Sequence, residues 1–217
     1  MTAAIDGDGR PLSLVRDSTG VAGPHEDWVW DRRYAENPWP SEPDHDLVDL
    51  VSPLEPGKAL DLGCGPGRNS IWLAQRGWDV TGVDASAVGL AQASERASDA
   101  GVSVRTVLAD LLSYRPEAEE FDLVVVANIH LLEPERTLLF STAAEALRAG
   151  GHLFVVGHHL DDLGRTGPPD PDRLYTRERL QDSFPTLVVH RLESSPRSAG
   201  PGEPPLTDVV VWAERPG

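Results

Sequence analysis

Apolar and polar positions form alternating blocks from residue 58 onwards, and these blocks predict strands and helices in turn. Short apolar runs predict strands at 59–62, 79–83, 102–108, 121–127 and 152–157. Apolar residues at helical spacing predict helices between them, at about 68–76, 86–100 and 133–148, the last ended by Gly150 and Gly151. The alternation indicates right-handed βαβ units, and therefore an α/β fold with a mostly parallel sheet.

The C-terminal part departs from this alternation. A polar, proline-rich loop at about 160–173 precedes a helix near 176–183. Two late apolar runs then predict strands at 186–192 and 206–213. Two strands joined by a turn predict an antiparallel hairpin that closes one edge of the sheet.

The N-terminal part predicts a cover in front of the sheet. Residues 1–24 predict a flexible tail, because they are rich in Gly, Asp, Ser and Pro and lack periodicity. The aromatic segment WVWDRRYAENPWP (28–40) predicts a short helix and a proline-bounded turn, and 44–52 predicts an amphipathic helix capped by Asp44. We therefore expect one domain at 25–217, with a helical cover at 25–57 and an α/β core at 58–217.

The amino-acid composition limits the classes of binding partner that the protein can have. The 217 residues carry a net charge of −16 from 35 acids and 19 bases, which repels phosphate backbones and argues against nucleic-acid partners. No apolar run is long enough to cross a membrane, and we see no secretory signal. The single cysteine excludes an internal disulfide. We expect a cytoplasmic monomer or homodimer that holds no metal.

The stretch ALDLGCGPGRNS (59–70) is the strongest local signal. It predicts a buried strand, a glycine turn and the start of a helix, whose unpaired N–H groups suit a ligand. The spacing is not that of a dinucleotide fingerprint, because Arg68 stands where the third glycine is required. Asp61, just before the turn, is unfavourable beside a pyrophosphate but favourable beside an ammonium or sulfonium group.

Acids follow three successive strands of the predicted sheet. Besides Asp61, Asp84 ends the second strand, where a carboxylate accepts hydrogen bonds from two ribose hydroxyls. Asp110 ends the third strand and can bind the exocyclic amine of adenine, with Leu111 against the ring. Because the carboxyl ends of parallel strands meet at one edge, these side chains are expected to share one crevice.

The motifs from 58 to 158 resemble those of class I S-adenosylmethionine-dependent methyltransferases: ALDLGCGPGRNS, VTGVDAS, ADLLSY, FDLVVVANIHLL and LRAGGHLFVVGHH. The resemblance implies a Rossmann-like seven-stranded sheet of order 3-2-1-4-5-7-6, with strand 7 antiparallel and helices on both faces. It implies S-adenosyl-L-methionine as cofactor and S-adenosyl-L-homocysteine as product. WDRRYAENPWP and GHHLDDLGRTGPPDPDRLYT, on either side, are similar to the tellurite-resistance and thiopurine methyltransferase branch.

The resemblance also implies roles for individual residues. Those expected beside the methionine part or the reacting methyl are Asp61, Gly63, Gly65, Gly67, Ala127 and Asn128. Asp84 is expected to bind ribose, and Asp110 and Leu111 adenine. The remaining positions expected to line the cofactor are Cys64, Asn69, Ala85 and Ser86, and we interpret Cys64 as packing and not as a nucleophile.

Histidines near the expected methyl are candidate bases. His130 and His158 follow the fourth and fifth strands, and with Asn128 they form the predicted catalytic set; the alternative is that they are loop histidines that bond the backbone. A thiol acceptor needs little help from a base, whereas an alcohol or phenol needs more. A metal site at His158, His159, Asp161 and Asp162 is set aside in favour of a solvated turn.

The acceptor wall is predicted from both flanks. Trp30, Tyr34 and Trp39 either close over cofactor and acceptor or pack the N-terminal helix on the sheet. The late loop adds His159, Asp161 and Tyr175. We expect methyl transfer to a small thiol or other chalcogen nucleophile. The alternatives are an O- or N-methyltransferase of secondary metabolism, a non-catalytic cofactor-binding regulator, and a nicotinamide oxidoreductase.

Overall fold

The computed structural model describes residues 24–217, so the predicted tail at 1–24 lies outside the described residues except for its last position. A seven-stranded sheet of order β3-β2-β1-β4-β5-β7-β6 forms the centre. Neighbouring strands pair in parallel from β3 to β5, and β7 runs antiparallel to both β5 and β6. The sheet order and the antiparallel strand predicted from the resemblance are therefore confirmed.

The elements follow the predicted alternation. The strands are β1 Lys58–Leu62, β2 Asp79–Asp84, β3 Arg105–Leu108, β4 Phe121–Ala127, β5 Leu147–His158, β6 Val188–Arg197 and β7 Leu206–Glu214. The helices are α1 Pro24–Glu36, α2 His45–Val51, α3 Arg68–Gln75, α4 Ala87–Asp99, α5 Glu135–Ala146 and α6 Arg177–Leu180, and short 3₁₀ turns lie at Leu160–Asp162 and Pro171–Arg173. None of the helices in this described part is long and apolar enough to span a membrane.

The core lies on both faces of the sheet, and β4 shows why. Val124 and Val126 pack in one buried cluster with α5, while Leu123 and Val125 pack in a second cluster with α2 and α3. A strand buried on both faces has no polar side, which is the physical reason for its continuous apolar run.

Three predicted boundaries were wrong. The third core helix ends at Ala146, because residues 147–150 already belong to β5; Gly150 and Gly151 exchange backbone hydrogen bonds with Arg215 and do not end a helix. β3 begins only at Arg105. β6 runs on to Arg197 through Pro196, which an edge strand tolerates because its outer N–H needs no partner.

The cover in front of β1 is also helical. α1 spans Pro24–Glu36, and Asp44 caps α2 by accepting hydrogen bonds from the backbone N–H groups of Asp46 and Leu47. The predicted cap is therefore confirmed. Asn69 ties this cover to the core, because its side-chain oxygen accepts a hydrogen bond of 3.0 Å from the backbone N of Asp44.

Candidate active site

The glycine turn after β1 has an unusual backbone. Gly63, Gly65 and Gly67 have φ values of +78°, +51° and +85°, in the left-handed region that residues with a Cβ rarely adopt. The N–H groups of Gly63 and Cys64 both bond to the carbonyl of Val83, so the turn is fixed to β2. Glycine is therefore required at these positions by the backbone itself.

Asp84 holds the turns after β1 and β2 together. One carboxylate oxygen accepts a hydrogen bond of 2.7 Å from the backbone N of Gly65, and the other accepts one of 2.8 Å from Ser86. The side chain is buried, and burial raises the pKa of Asp84 although these hydrogen bonds oppose the rise. A carboxylate has about four acceptor positions, so Asp84 can also accept a hydrogen bond from a ligand.

Asp61 lies beneath the turn. Its side chain is 1% exposed, and Ser70 donates a hydrogen bond of 2.6 Å to one oxygen. Burial raises the pKa of Asp61 to about 6, although Ser70 and Arg68 favour the charged form. Cys64 is buried next to it, and burial raises the pKa of this thiol well above its usual value, which fits packing and not a nucleophilic role.

The turns after β3 and β4 complete this side of the crevice. Asp110 is half-buried and accepts a hydrogen bond of 2.9 Å from the backbone N of Leu112, while Leu111 and Ile129 lie over Gly63. Asn128 has φ +59°, and its side-chain oxygen is buried without a hydrogen-bond partner in the described part of the chain. A buried acceptor without a donor is costly, so this oxygen marks a place where a ligand donor is favoured.

An aromatic cluster covers the turn. The ring centroids of Trp30, Tyr34 and Trp39 lie 4.9–6.4 Å apart. The Tyr34 hydroxyl lies 2.7 Å from where a Cβ on Gly65 would stand, so the ring rests directly on the glycine turn. Tyr34 is buried, and burial raises the pKa of its hydroxyl. The cluster therefore packs α1 on the crevice and closes it with the same contacts.

Asp31 fixes α1 over this crevice. Its Oδ1 accepts hydrogen bonds of 2.5 Å from the Ser86 hydroxyl and 3.1 Å from the backbone N of Val88. Ser86 also caps α4 by accepting a hydrogen bond from Gly89. Ala85 lies between Asp84 and this cap. Asp31 thus adds a negative charge at the N-terminus of α4, which the helix dipole favours.

The two candidate bases lie together after β4 and β5. The rings of His130 and His158 stack with centroids 4.8 Å apart and an interplanar angle of 25°. His158 Nδ1 lies 2.9 Å from Oδ1 of Asp208 on β7, and Arg197 Nε lies 2.7 Å from the other oxygen of Asp208. His130 Nδ1 lies 3.1 Å from the carbonyl of Arg173. Burial lowers the pKa of His130 to about 4.

The remaining predicted wall residues are dispersed. Tyr175 is buried beside His130 and donates a hydrogen bond to the carbonyl of Ile129, so its ring belongs to the core. His159 caps a 3₁₀ turn by accepting a hydrogen bond of 3.0 Å from the backbone N of Asp161. The side chain of Asp161 is 85% exposed. The geometry therefore gives no support to an acceptor wall formed by Asp161 and Tyr175.

A family model described as a methyltransferase domain matches residues 59–151. Residues 59–151, which hold β1 to β4 and the start of β5, are therefore similar to a methyltransferase domain. The small-subunit ribosomal RNA methyltransferase C of Alcanivorax borkumensis is 36% identical over 109 residues, covering 48% of this chain and 33% of that protein. The probable S-adenosyl-L-methionine-dependent methyltransferase TehB of Haemophilus influenzae is 32% identical over 121 residues, covering 54% and 42%.

The chain is similar in fold to solved structures over most of its length. One, described as "Conversion of a Disulfide Bond into a Thioacetal Group during Echinomycin Biosynthesis", matches with a TM-score of 0.72 at 21% identity and covers 88% of this chain and 93% of that one. At this identity the likeness concerns the fold. The chain spans about a third to two fifths of the length of the two curated relatives.

Three residues of the α/β core and its cover were not predicted from the sequence: Asp31, Asp208 and Arg197. Asp31 lies in the aromatic segment, where the interpretation considered only the tryptophans and the tyrosine. Asp208 and Arg197 lie on the late hairpin, far from any motif. The signal for Asp208 is an acid at the start of an apolar strand, but its pairing with His158 depends on strand register.

Proposed function

We propose that this protein is an S-adenosylmethionine-dependent methyltransferase that transfers a methyl group in line to a small-molecule acceptor. The observation that carries the proposal is the double role of Asp84, which holds the Gly65 and Ser86 amides and keeps acceptor positions free at a crevice between strand ends. The cofactor supplies a methyl group on a sulfonium, which is already activated for displacement. Alignment in a closed crevice then supplies much of the catalysis.

The residues present fit this cofactor. The unpartnered oxygen of Asn128 suits the ammonium of the methionine part, and Ala127 ends β4 beside it. We assign Asp84 to the ribose hydroxyls, and Asp110 with Leu111 to adenine. The left-handed glycines leave no Cβ between ligand and backbone. Asp61 acts from beneath the turn, by bonding Ser70 at the start of α3.

A small acceptor suits the surface and the cover. A net charge of −16 opposes binding of a phosphate backbone, and the aromatic cluster around Tyr34 closes the crevice to a bulky polymer. The ribosomal RNA methyltransferase relative shares only about a third of its length with this chain, so its substrate does not transfer. The lone cysteine is consistent with a reducing cytoplasm, and a monomer or homodimer remains our expectation.

For the acceptor atom, we favour sulfur or another chalcogen. The support is the resemblance of the two flanking segments to the tellurite-resistance and thiopurine methyltransferase branch. A hydroxyl acceptor is the second candidate, and a specific observation favours it. The His158–Asp208 pair is a ready base, which an alcohol or phenol needs more than a thiol does.

Calorimetry and a methylation panel test the proposal. We expect S-adenosylhomocysteine to bind and NADH not to bind, and we expect radiolabelled methyl to reach at least one acceptor among thiols, phenols and amines. Asp84→Asn should weaken S-adenosylhomocysteine binding. Asp79→Asn is the matched control, because Asp79 is an exposed acid at the other end of β2. Binding of NADH alone would instead identify a nicotinamide enzyme, and binding without transfer would identify a regulator.

A further inference from the structure

We propose that His158 is the general base of the reaction and that Asp208 and Arg197 position it. The acceptor therefore carries an acidic O–H or S–H group. This inference rests on the proposed methyltransferase function and extends it to the acceptor. Its basis is a set of three side chains, on three adjacent strands, at the rim where the crevice ends.

Strand register brings the pair together. His158 is the last residue of β5, and Asp208 is its direct partner on antiparallel β7. The Nδ1 of His158 lies 2.9 Å from Oδ1 of Asp208. Arg197 Nη2 lies 3.3 Å from the same Nδ1, which is farther away than the carboxylate oxygen. Because that carboxylate can only accept, we assign the proton to Nδ1 of His158. This tautomer leaves Nε2 unprotonated and able to take a proton from an acceptor.

Asp208 is held as a carboxylate by Arg197. Its side chain is almost fully buried, with 2% of the residue exposed, and Arg197 Nε lies 2.7 Å from its Oδ2. Burial alone would raise the pKa of Asp208, but His158 and Arg197 outweigh it and lower the pKa. Asp208 is too buried to meet an acceptor, so it acts through His158. It is a positioning residue and not a catalytic one.

His130 is the competing base on the same rim, and its geometry argues against it. Its Nδ1 donates to the carbonyl of Arg173 at 3.1 Å, and its Nε2 faces the backbone N of His158 at 3.5 Å. Both ring nitrogens of His130 are therefore directed at backbone groups. Its stacked ring also fixes the plane of the His158 ring, which favours one orientation of Nε2.

The position on the sheet suits an acceptor that lies between base and cofactor. β4 separates β1 from β5, so the end of β5 lies about 10 Å from the glycine turn at the usual strand spacing. Asn128 ends the strand between them. An acceptor above that strand end can face the methyl group on one side and His158 on the other.

The proton and electrons balance in one displacement. Nε2 of His158 takes the proton from the acceptor oxygen or sulfur, which forms a bond to the methyl carbon. The bond from that carbon to the sulfonium sulfur breaks, and its electron pair stays on sulfur in the product S-adenosylhomocysteine. The proton on His158 then passes to solvent. The ionisable groups that face His158 are Asp208 from β7, Arg197 from β6 and His130 from the loop after β4.

The test uses the full chain, radiolabelled S-adenosylmethionine and a panel of phenols, thiols and amines. We expect His158→Gln to lower kcat at least 100-fold on every accepted phenol and by a smaller factor on a thiol, which is already partly ionised. The Kd for S-adenosylhomocysteine should stay within threefold of wild type. Asp208→Asn should lower kcat 10- to 100-fold without changing KM by more than threefold, because the wrong tautomer then faces the acceptor.

Matched controls separate this role from simple stability. Asp46 is also buried, with 3% exposed, and pairs at 3.0 Å with another arginine of β6, Arg191. Asp46→Asn should lower stability as Asp208→Asn does, but keep kcat within threefold. His190→Gln, on the exposed edge strand, controls for loss of a histidine.

The outcomes that overturn the inference differ from those that overturn the function. Full turnover of His158→Gln, or a wild type that methylates only amines, refutes the inference and leaves the methyltransferase standing. A loss of S-adenosylhomocysteine binding in His158→Gln equal to the loss of kcat also refutes it, because the residue would then act on the cofactor side. Failure of the wild type to bind S-adenosylhomocysteine at all refutes the proposed function itself.

Discussion

The two ends of the rim use their acids differently. At the ends of β2 and β3, Asp84 and Asp110 accept hydrogen bonds from backbone N–H groups of their own turns, and Asp84 also accepts one from the glycine turn. At the end of β5 and the start of β7, Asp208 bonds two side chains, those of His158 and Arg197. An acid that accepts hydrogen bonds from backbone N–H groups fixes the shape of the turns that line the crevice. An acid that pairs with a histidine fixes which ring nitrogen of the histidine carries the proton. The first arrangement suits binding of a fixed ligand, and the second suits proton transfer.

If this contrast is right, substitutions on the two sides should separate in kinetics. Changes on the cofactor side should act on affinity for S-adenosylhomocysteine, and changes on the acceptor side on turnover. Substitutions of Asp84, Asp61 and Asp31 test the cofactor side, and substitution of His130 should have the smallest effect on turnover.

Asp84→Ala should cause the largest change in binding. We expect S-adenosylhomocysteine affinity to fall by about 1–3 kcal/mol, from lost hydrogen bonds to a charged group and a loosened Gly65 turn. Calorimetry measures it, with Asp79→Ala as the control at the exposed end of the same strand. An unchanged Kd would mean that the ribose lies elsewhere and that the conformation of the glycine turn does not depend on Asp84.

Asp61→Asn should raise stability, by about 1–2 kcal/mol at pH 8. The pKa of Asp61 is raised to about 6 because the folded state buries its charge, so the wild type gains stability as pH falls through 6 and retains that gain below about 4. An asparagine carries no charge, so its advantage should disappear between pH 7 and 4. Urea unfolding at several pH values measures the difference. A constant difference across that range would show that burial of Asp61 is not the cause.

Asp31→Asn should loosen the cover by about 1 kcal/mol. The substitution weakens a charge-assisted cap at Ser86 and Val88 that joins α1 to α4. We expect faster proteolysis of α1 and a several-fold faster release of S-adenosylhomocysteine. Asp49→Asn, at an exposed position of α2, is the control. Unchanged protease sensitivity would show that the aromatic cluster alone holds α1.

The contrast also explains what the sequence could predict. Gly63, Gly65 and Asp84 belong to contiguous strand–turn–helix units, so local spacing was enough to place them and the sheet order around them. Asp208 meets His158 across 50 positions of the chain, through a register that no local pattern contains. The end of the third core helix was missed for a related reason, because Gly150 and Gly151 pair with Arg215 from the far end of the chain.

The solvent exposure of side chains on the acceptor side could also not be predicted from a local sequence pattern. Tyr175 and Asp161 looked equivalent as polar residues of one loop, yet Tyr175 is buried under His130 and Asp161 is 85% exposed. The packing of a long loop depends on which residues it meets. The sequence was enough to predict that His130 and His158 lie on that rim. It could not predict that His130 is buried against backbone groups while His158 pairs with Asp208.

His130→Asn should therefore have the smallest effect on turnover, a change of several-fold at most. An asparagine amide can still donate to the carbonyl of Arg173, so the loop should stay in place. Because burial lowers the pKa of His130 to about 4, the wild type loses stability as pH falls from about 6.5 towards 4, and the variant should lose less. Steady-state kinetics and unfolding at pH 7 and 5 measure both. A loss of turnover as large as that of His158→Gln would indicate that His130 is the general base. The buried His130 and the paired His158 would then not differ in function as we propose.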